Sequence, residues 1–225
     1  MKDYKTEIEK IKQSLKEEGS QINFKRRKLI RISAEDFRDL IVISGQNTLK
    51  RIGSVDDKGE PAKFVITDRL KPVVNQMYWY LTGRKHKLNS GIALCGYPGA
   101  GKTVLMVSFL NLMQKIGAIK GYNHINARTF HEIDNKAKFE KNPLFIEEFG
   151  KNPGEVKNYG NIETPLQNLL MKRYETRELT FVDSNLNKEM INETYKTLLA
   201  DRFKDMFNFI YITRPDKSDK YSFRG

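Results

Sequence analysis

The tightest constraint in this chain is a run of eight residues, Gly96-Tyr97-Pro98-Gly99-Ala100-Gly101-Lys102-Thr103. It sits between two apolar segments, Gly91 to Cys95 and Val104 to Met113. A short strand entering a glycine-rich turn and leaving as a helix is the context that the G-x-x-x-x-G-K-[ST] phosphate loop requires. The residue types follow from the chemistry. Glycines 96, 99 and 101 let the backbone curl so that several N–H groups face one point, and the helix that follows adds its positive N-terminal end. Lys102 is then expected on the β- and γ-phosphates and the Thr103 hydroxyl on a magnesium ion, with Val104 opening the helix beside them. The ligands expected here are ATP and Mg2+.

A phosphate loop needs an acidic residue near the metal, at the tip of a neighbouring strand. Pro143-Leu144-Phe145-Ile146 runs straight into Glu147 and Glu148, so Glu147 is assigned to the metal and Glu148 to the attacking water as general base. A buried strand ending in solvated acids would read the same way. Most enzymes of this kind carry aspartate first, and glutamate is one methylene longer, so hydrolysis is expected to be slow or secondary to binding.

Strands alternating with helices around this loop imply a three-layer α/β sandwich with a mainly parallel sheet and nucleotide at the carboxyl ends of the strands. The chain divides into residues 1–62, a helical extension and linker, and residues 63–225, the nucleotide-binding domain. Ile8, Ile11 and Leu15 recur at helical spacing in the first twenty residues, too narrow a stripe to fold alone. A second helix starts after Ser33, an N-cap with Asp36 three positions on. Residues 45–62, carrying Gly45, Gly53, Gly59 and Pro61, read as a loop. Leu70, Val73, Val74, Met77, Tyr78 and Leu81 then give a helix ending at Thr82-Gly83. Its Met77-Tyr78-Trp79-Tyr80 run is either core or a stacking platform that could also line the adenine pocket.

Charge points to a polyanion. The net charge is +12, and eight of those twelve positive charges lie in residues 1–90. The densest runs are Lys25-Arg26-Arg27-Lys28 and Arg84-Lys85-His86-Lys87, which suit phosphate contacts or simply a solvated surface. No stretch reaches the roughly 18 apolar residues of a membrane span, and the N-terminus lacks an apolar leader core, so a cytoplasmic protein with no membrane partner is expected. The single cysteine, Cys95, and three scattered histidines make no metal-ligand cluster.

Taken in order, GIALCGYPGAGKT, PLFIEEFG, RYETRELTFVDSNLN and LLADRFKDMFNFI resemble the DnaC/IstB group of AAA+ ATPases, the bacterial and phage helicase loaders and transposition helpers. The likeness spans residues 64–225. It implies that Asn185, after the strand Leu179 to Val182, is the sensor 1 residue at the γ-phosphate or lytic water. Asn is also common as a plain turn residue there. It implies that Arg202 in Ala200-Asp201-Arg202-Phe203 is an arginine finger reaching a neighbouring subunit, which requires a homo-oligomer. Arg224 would be a second nucleotide-sensing arginine, and no helical lid domain is expected after it. The loop over residues 151–162, with Lys151 and Lys157, would face single-stranded DNA. The function implied is a DnaC-like ATPase that loads the replicative DNA helicase, held by residues 1–62. An IstB-like helper of transposition on duplex DNA, or a nucleotide-gated adaptor that hardly hydrolyses, remain open beside it.

Overall fold

The structure, a computed structural model, describes residues 27–150, 156–158 and 161–214. The helix expected over residues 1–20, together with Lys25, Arg26, Lys151, Arg224 and the side chain of Lys157, lies outside the described residues.

Helix α1 (Ala34–Arg51) opens as its sequence dictates. Ser33 Oγ accepts from the Asp36 N–H at 3.0 Å, with Glu35 and Asp36 in the first turn and Lys50 and Arg51 in the last, matching the helix dipole. It does not stop at Gly45. Of the loop expected over residues 45–62, residues 45–51 are about two further turns of helix and non-helical chain begins only at Ile52, and the reason is a close approach rather than a break. A Cβ on Gly45 would lie 2.3 Å from Phe64 Cγ. The segment after α1 doubles back so that the Phe64 ring rests on the helix, pinned by Phe64 N–H to Gln46 Oε1 at 3.0 Å and Gln46 Nε2 to Ala62 O at 2.9 Å.

Phe37, Ile41 and Leu49 of α1 belong to the same buried cluster as Val73 and Met77 of α2 (Leu70–Thr82) and Leu105 and Phe109 of α3 (Lys102–Lys115). Each such side chain contributes about 1.5–3 kcal/mol over leaving it in water, enough together to hold a helix that alone would be marginal. Packing therefore runs continuously across residue 62. Met77, Tyr78 and Tyr80 are buried in it, which makes the aromatic run core rather than a stacking platform. α2 ends at Gly83, whose φ of 78° continues the turn in the left-handed sense.

The main sheet has five strands: β1 (Gly91–Gly96), β2 (Asn123–Asn126), β3 (Leu144–Phe149), β6 (Thr180–Ser184) and β7 (Phe207–Ile212), in the order β2-β3-β6-β1-β7. Every pairing in it is parallel. β4 (Val156–Asn158) and β5 (Asn161–Glu163) form a separate antiparallel pair. On one face Ile92, Leu94, Phe145 and Phe181 pack against α1, α2 and α3. On the other, Ala93, Cys95, Ile146 and Val182 pack against α4 (Pro165–Glu175) and α5 (Lys188–Met206). This is the three-layer architecture expected. The chain leaves β1 for the far edge at β2, so the carboxyl end of β1 is where a crevice must open.

One buried cation fixes the far end of the sheet. Arg173 at the end of α4 is fully buried and donates to Thr180 Oγ1 at 2.9 Å, Phe139 O at 2.6 Å, Asn142 O at 2.9 Å and Leu179 O at 2.8 Å. These acceptors flank the starts of β3 and β6, so a single guanidinium ties their register together.

Candidate nucleotide-binding site

At the carboxyl end of β1 the loop turns through Gly99 and Gly101, both left-handed at φ of 80° and 75°, and enters α3 at Lys102. Glycine adopts that conformation without strain, which is why the pattern fixes the position of Gly101, while Gly99 meets the same need at one of its variable positions. Lys102 is 7% exposed. Its ammonium donates to Gly96 O at 3.0 Å, Tyr97 O at 2.8 Å and Asn185 Oδ1 at 2.6 Å. Asn185 and Lys102 are eighty-three positions apart, and the crossing from β6 to the loop joins them. Tyr97 is held from outside by a hydrogen bond from Arg69 at the start of α2.

The cleft above the loop has a volume of about 230 Å³ and is lined by residues 98–104 with Glu147, Glu148, Asp183 and Asn185. Gly96 and Tyr97 sit beneath it and offer their carbonyls to Lys102. Of the acids and polar groups named from sequence, Glu147, Glu148 and Asn185 come together here. Arg202 does not. On α5 its guanidinium lies 5.1 Å over the Tyr174 ring and donates to Met171 Sδ, facing α4.

Asp183 is the site residue that sequence reasoning passed over. It is 2% exposed. Its Oδ2 accepts the Thr103 hydroxyl at 2.5 Å and its Oδ1 accepts the Glu148 N–H at 2.7 Å. Burial pushes its carboxyl above the ordinary aspartate range, opposed by those two hydrogen bonds. The signal was there to be read, because a lone acid inside the apolar strand Thr180-Phe181-Val182-Asp183 needs buried partners.

Glu147 and Glu148 are held by residues of the β2 side. His124 Nε2 lies 3.3 Å from Glu147 Oε2. That hydrogen bond, against partial burial, holds the Glu147 carboxyl below its usual value. Arg128 Nε lies 2.9 Å from Glu148 Oε2. The pairing of β3 with β6 skips at this point, from Ile146 opposite Val182 to Phe149 opposite Ser184. Glu148 takes a φ of 57° in the skip.

A second cleft of about 240 Å³ adjoins the first and shares Gly101 and Val104 with it, walled by Leu49, Val55, Phe64 and Leu70. None of residues 77–80 lines it. The aromatic ring that walls this cleft is that of Phe64.

Oxygen donors dominate the phosphate cleft, the chemistry that suits a hard cation such as Mg2+. Among the described residues no group of three or more His, Cys, Asp or Glu could hold an ion by itself.

Solved structures share this architecture, DnaC and DnaI among them. The DnaC helicase loader superposes with a TM-score of 0.51 at 13% identity, covering 65% of this chain and 91% of that one. DnaI superposes with a TM-score of 0.51 at 16% identity, covering 68% of this chain and 86% of that one. The fold is the one these two structures share. No family model matches the sequence, and no curated protein does. What this chain shares with these neighbours at such identity is its fold, and its glycine-rich loop stands at the strand end where this topology opens its crevice. No described helix is long and apolar enough to cross a membrane.

Proposed function

We propose that this protein binds ATP with Mg2+ and hydrolyses it as a DnaC-like helicase loader in DNA replication. The observation that carries the nucleotide reading is the convergence of Lys102, Thr103, Glu148, Asp183 and Asn185 on one cleft at the end of β1. Lys102 exchanges its carbonyl and amide partners for phosphate oxygens, and loop N–H groups take the rest of the charge. Asn185, bonded to the Lys102 ammonium, sits where the terminal phosphate or the lytic water would be oriented. Glu148 draws the proton from that water. The metal belongs at the corner of Thr103 and the neighbouring carboxylates, Glu147 among them, where it would neutralise charge on the transferred group. The apolar cleft beside Gly101 and Val104 takes the base.

Arg202 faces away from this chain's own cleft, so its part in hydrolysis is as a finger entering the next subunit of a homo-oligomer. Residues 1–62 hold the replicative helicase, and single-stranded DNA is the polyanion. Steady-state ATPase with and without single-stranded DNA tests the whole reading. Stimulation by DNA is expected, and a protein that binds no ATP in a calorimeter would end it.

One observation favours a slower variant of the same reading. The ion pair from Arg128 occupies Glu148 Oε2, an oxygen that a general base would turn to the water. Tight ATP binding with a flat hydrolytic baseline would mark the protein as a nucleotide-gated adaptor. Arg128→Ala would then raise the baseline.

A further inference from the structure

The acid at the usual metal position of β3 is a glutamate tied sideways to His124, while an aspartate on the next strand is buried against the loop hydroxyl. In phosphate-loop enzymes the metal is held by the loop Ser/Thr and an aspartate of the acidic strand. Resting on the ATP and Mg2+ reading above, we infer that this duty has moved one strand over: Asp183 is the positioning residue that aims Thr103 at the metal and sets the metal shell, with Glu147 subordinate to it.

Three observations carry this. Thr103 spends its only proton on Asp183 Oδ2, so the hydroxyl lone pairs are left for a cation, the orienting role that an outer carboxylate plays for a ligand. The other oxygen, Oδ1, takes the N–H of Glu148. That N–H lies in the skip where Glu147 and Glu148 stand opposite the single residue Asp183, so the side chain replaces a missing ladder bond and fixes the general base relative to the hydroxyl. Finally, the group is a carboxylate, 2% exposed. Two donors could be met by a neutral side chain at far less desolvation cost, and a buried negative charge beside a metal-binding hydroxyl is warranted where a cation arrives. Glu147 also comes within hydrogen-bonding reach of the Thr103 hydroxyl, but its side chain is 29% exposed and its larger interaction is with His124, an imidazole on the edge strand.

The test separates metal from nucleotide. ATP affinity of the full chain is measured by calorimetry in EDTA, and Mn2+ affinity of the ATP-bound protein by electron paramagnetic resonance, for wild type, Asp183→Asn and Glu147→Gln. We expect Asp183→Asn to keep its ATP affinity in EDTA and to lose about 10–100-fold in Mn2+ affinity, as loss of an outer orienting carboxylate does elsewhere. Glu147→Gln should lose the smaller factor. The assignment falls if Glu147→Gln loses as much as Asp183→Asn or more, or if Asp183→Asn weakens ATP in EDTA equally, which would make Asp183 a structural strut. Should Asp183→Asn fail to fold, Glu147→Gln decides alone: retained Mn2+ binding supports the inference and its abolition overturns it. Wild type that binds no ATP at all refutes the nucleotide reading instead, a different outcome from any of these.

Discussion

The two halves of the nucleotide site are built in opposite ways. The phosphate loop is contiguous: residues 96–103 make their own turn, and Lys102 reaches back only five and six positions to the carbonyls it holds. The acidic corner is assembled from three strands, with His124 and Arg128 from the β2 side, Glu147 and Glu148 from β3 and Asp183 from β6. Local backbone preference suffices for the first. The second exists only if the β3–β6 register holds, so the halves should respond differently to the same insult.

Lys102→Ala is expected to have the largest effect. Losing two charge-assisted hydrogen bonds to phosphate at about 1.5–3 kcal/mol each lowers ATP affinity by about 10²–10⁴-fold. Calorimetry in EDTA reads it without the metal. Affinity within a few-fold of wild type would mean that the loop amides grip the triphosphate alone. Glu148→Gln strikes the other half. It should leave ATP binding intact and reduce turnover by about 10²–10⁴-fold, the range for loss of a general base. An unchanged rate in a phosphate-release assay would move the base elsewhere.

This contrast also explains what the sequence made legible. The strand, the turn and the helix of residues 91–113, the N-cap at Ser33 and the helix stop at Gly83 are all encoded by neighbours in the chain, and each was readable. Glu147 and Glu148 were found because they end an apolar strand. Asp183 was missed because its partners, Thr103 and the Glu148 N–H, are brought to it only by sheet order. Gly45 misled for a related reason. A glycine in a polar stretch reads as a break, whereas here it clears room for a ring nineteen positions on.

Arg173→Met would break the corner from a distance. Four acceptors around the starts of β3 and β6, three of them buried, lose their donor, a cost of about 3–5 kcal/mol. At roughly 2–4 °C per kcal/mol for a chain of this size, the melting temperature should fall by roughly 6–20 °C. Below the transition, ATP affinity in EDTA should hold while Mn2+ affinity weakens, because the loop is local and the corner depends on register. Equal loss of both would show that the loop leans on the sheet as much as the acids do.

Gly45→Ala is the mildest and tests whether the base side is separable from the phosphate side. A methyl 2.3 Å from Phe64 Cγ is not tolerated, so the ring must move at about 1–3 kcal/mol of overpacking, offset by about 1 kcal/mol of helix propensity gained over glycine. Net stability should therefore fall by about 0–2 kcal/mol. Phe64 walls the cleft that shares Gly101 and Val104 with the loop, and its displacement should cost ATP about 3–10-fold in affinity, an effect of order 1 kcal/mol. Inorganic triphosphate, which has no base, should bind the variant and wild type alike. Parallel losses for both ligands would mean that strain from α1 reaches the loop through α3, and no loss for either would take the base away from Phe64.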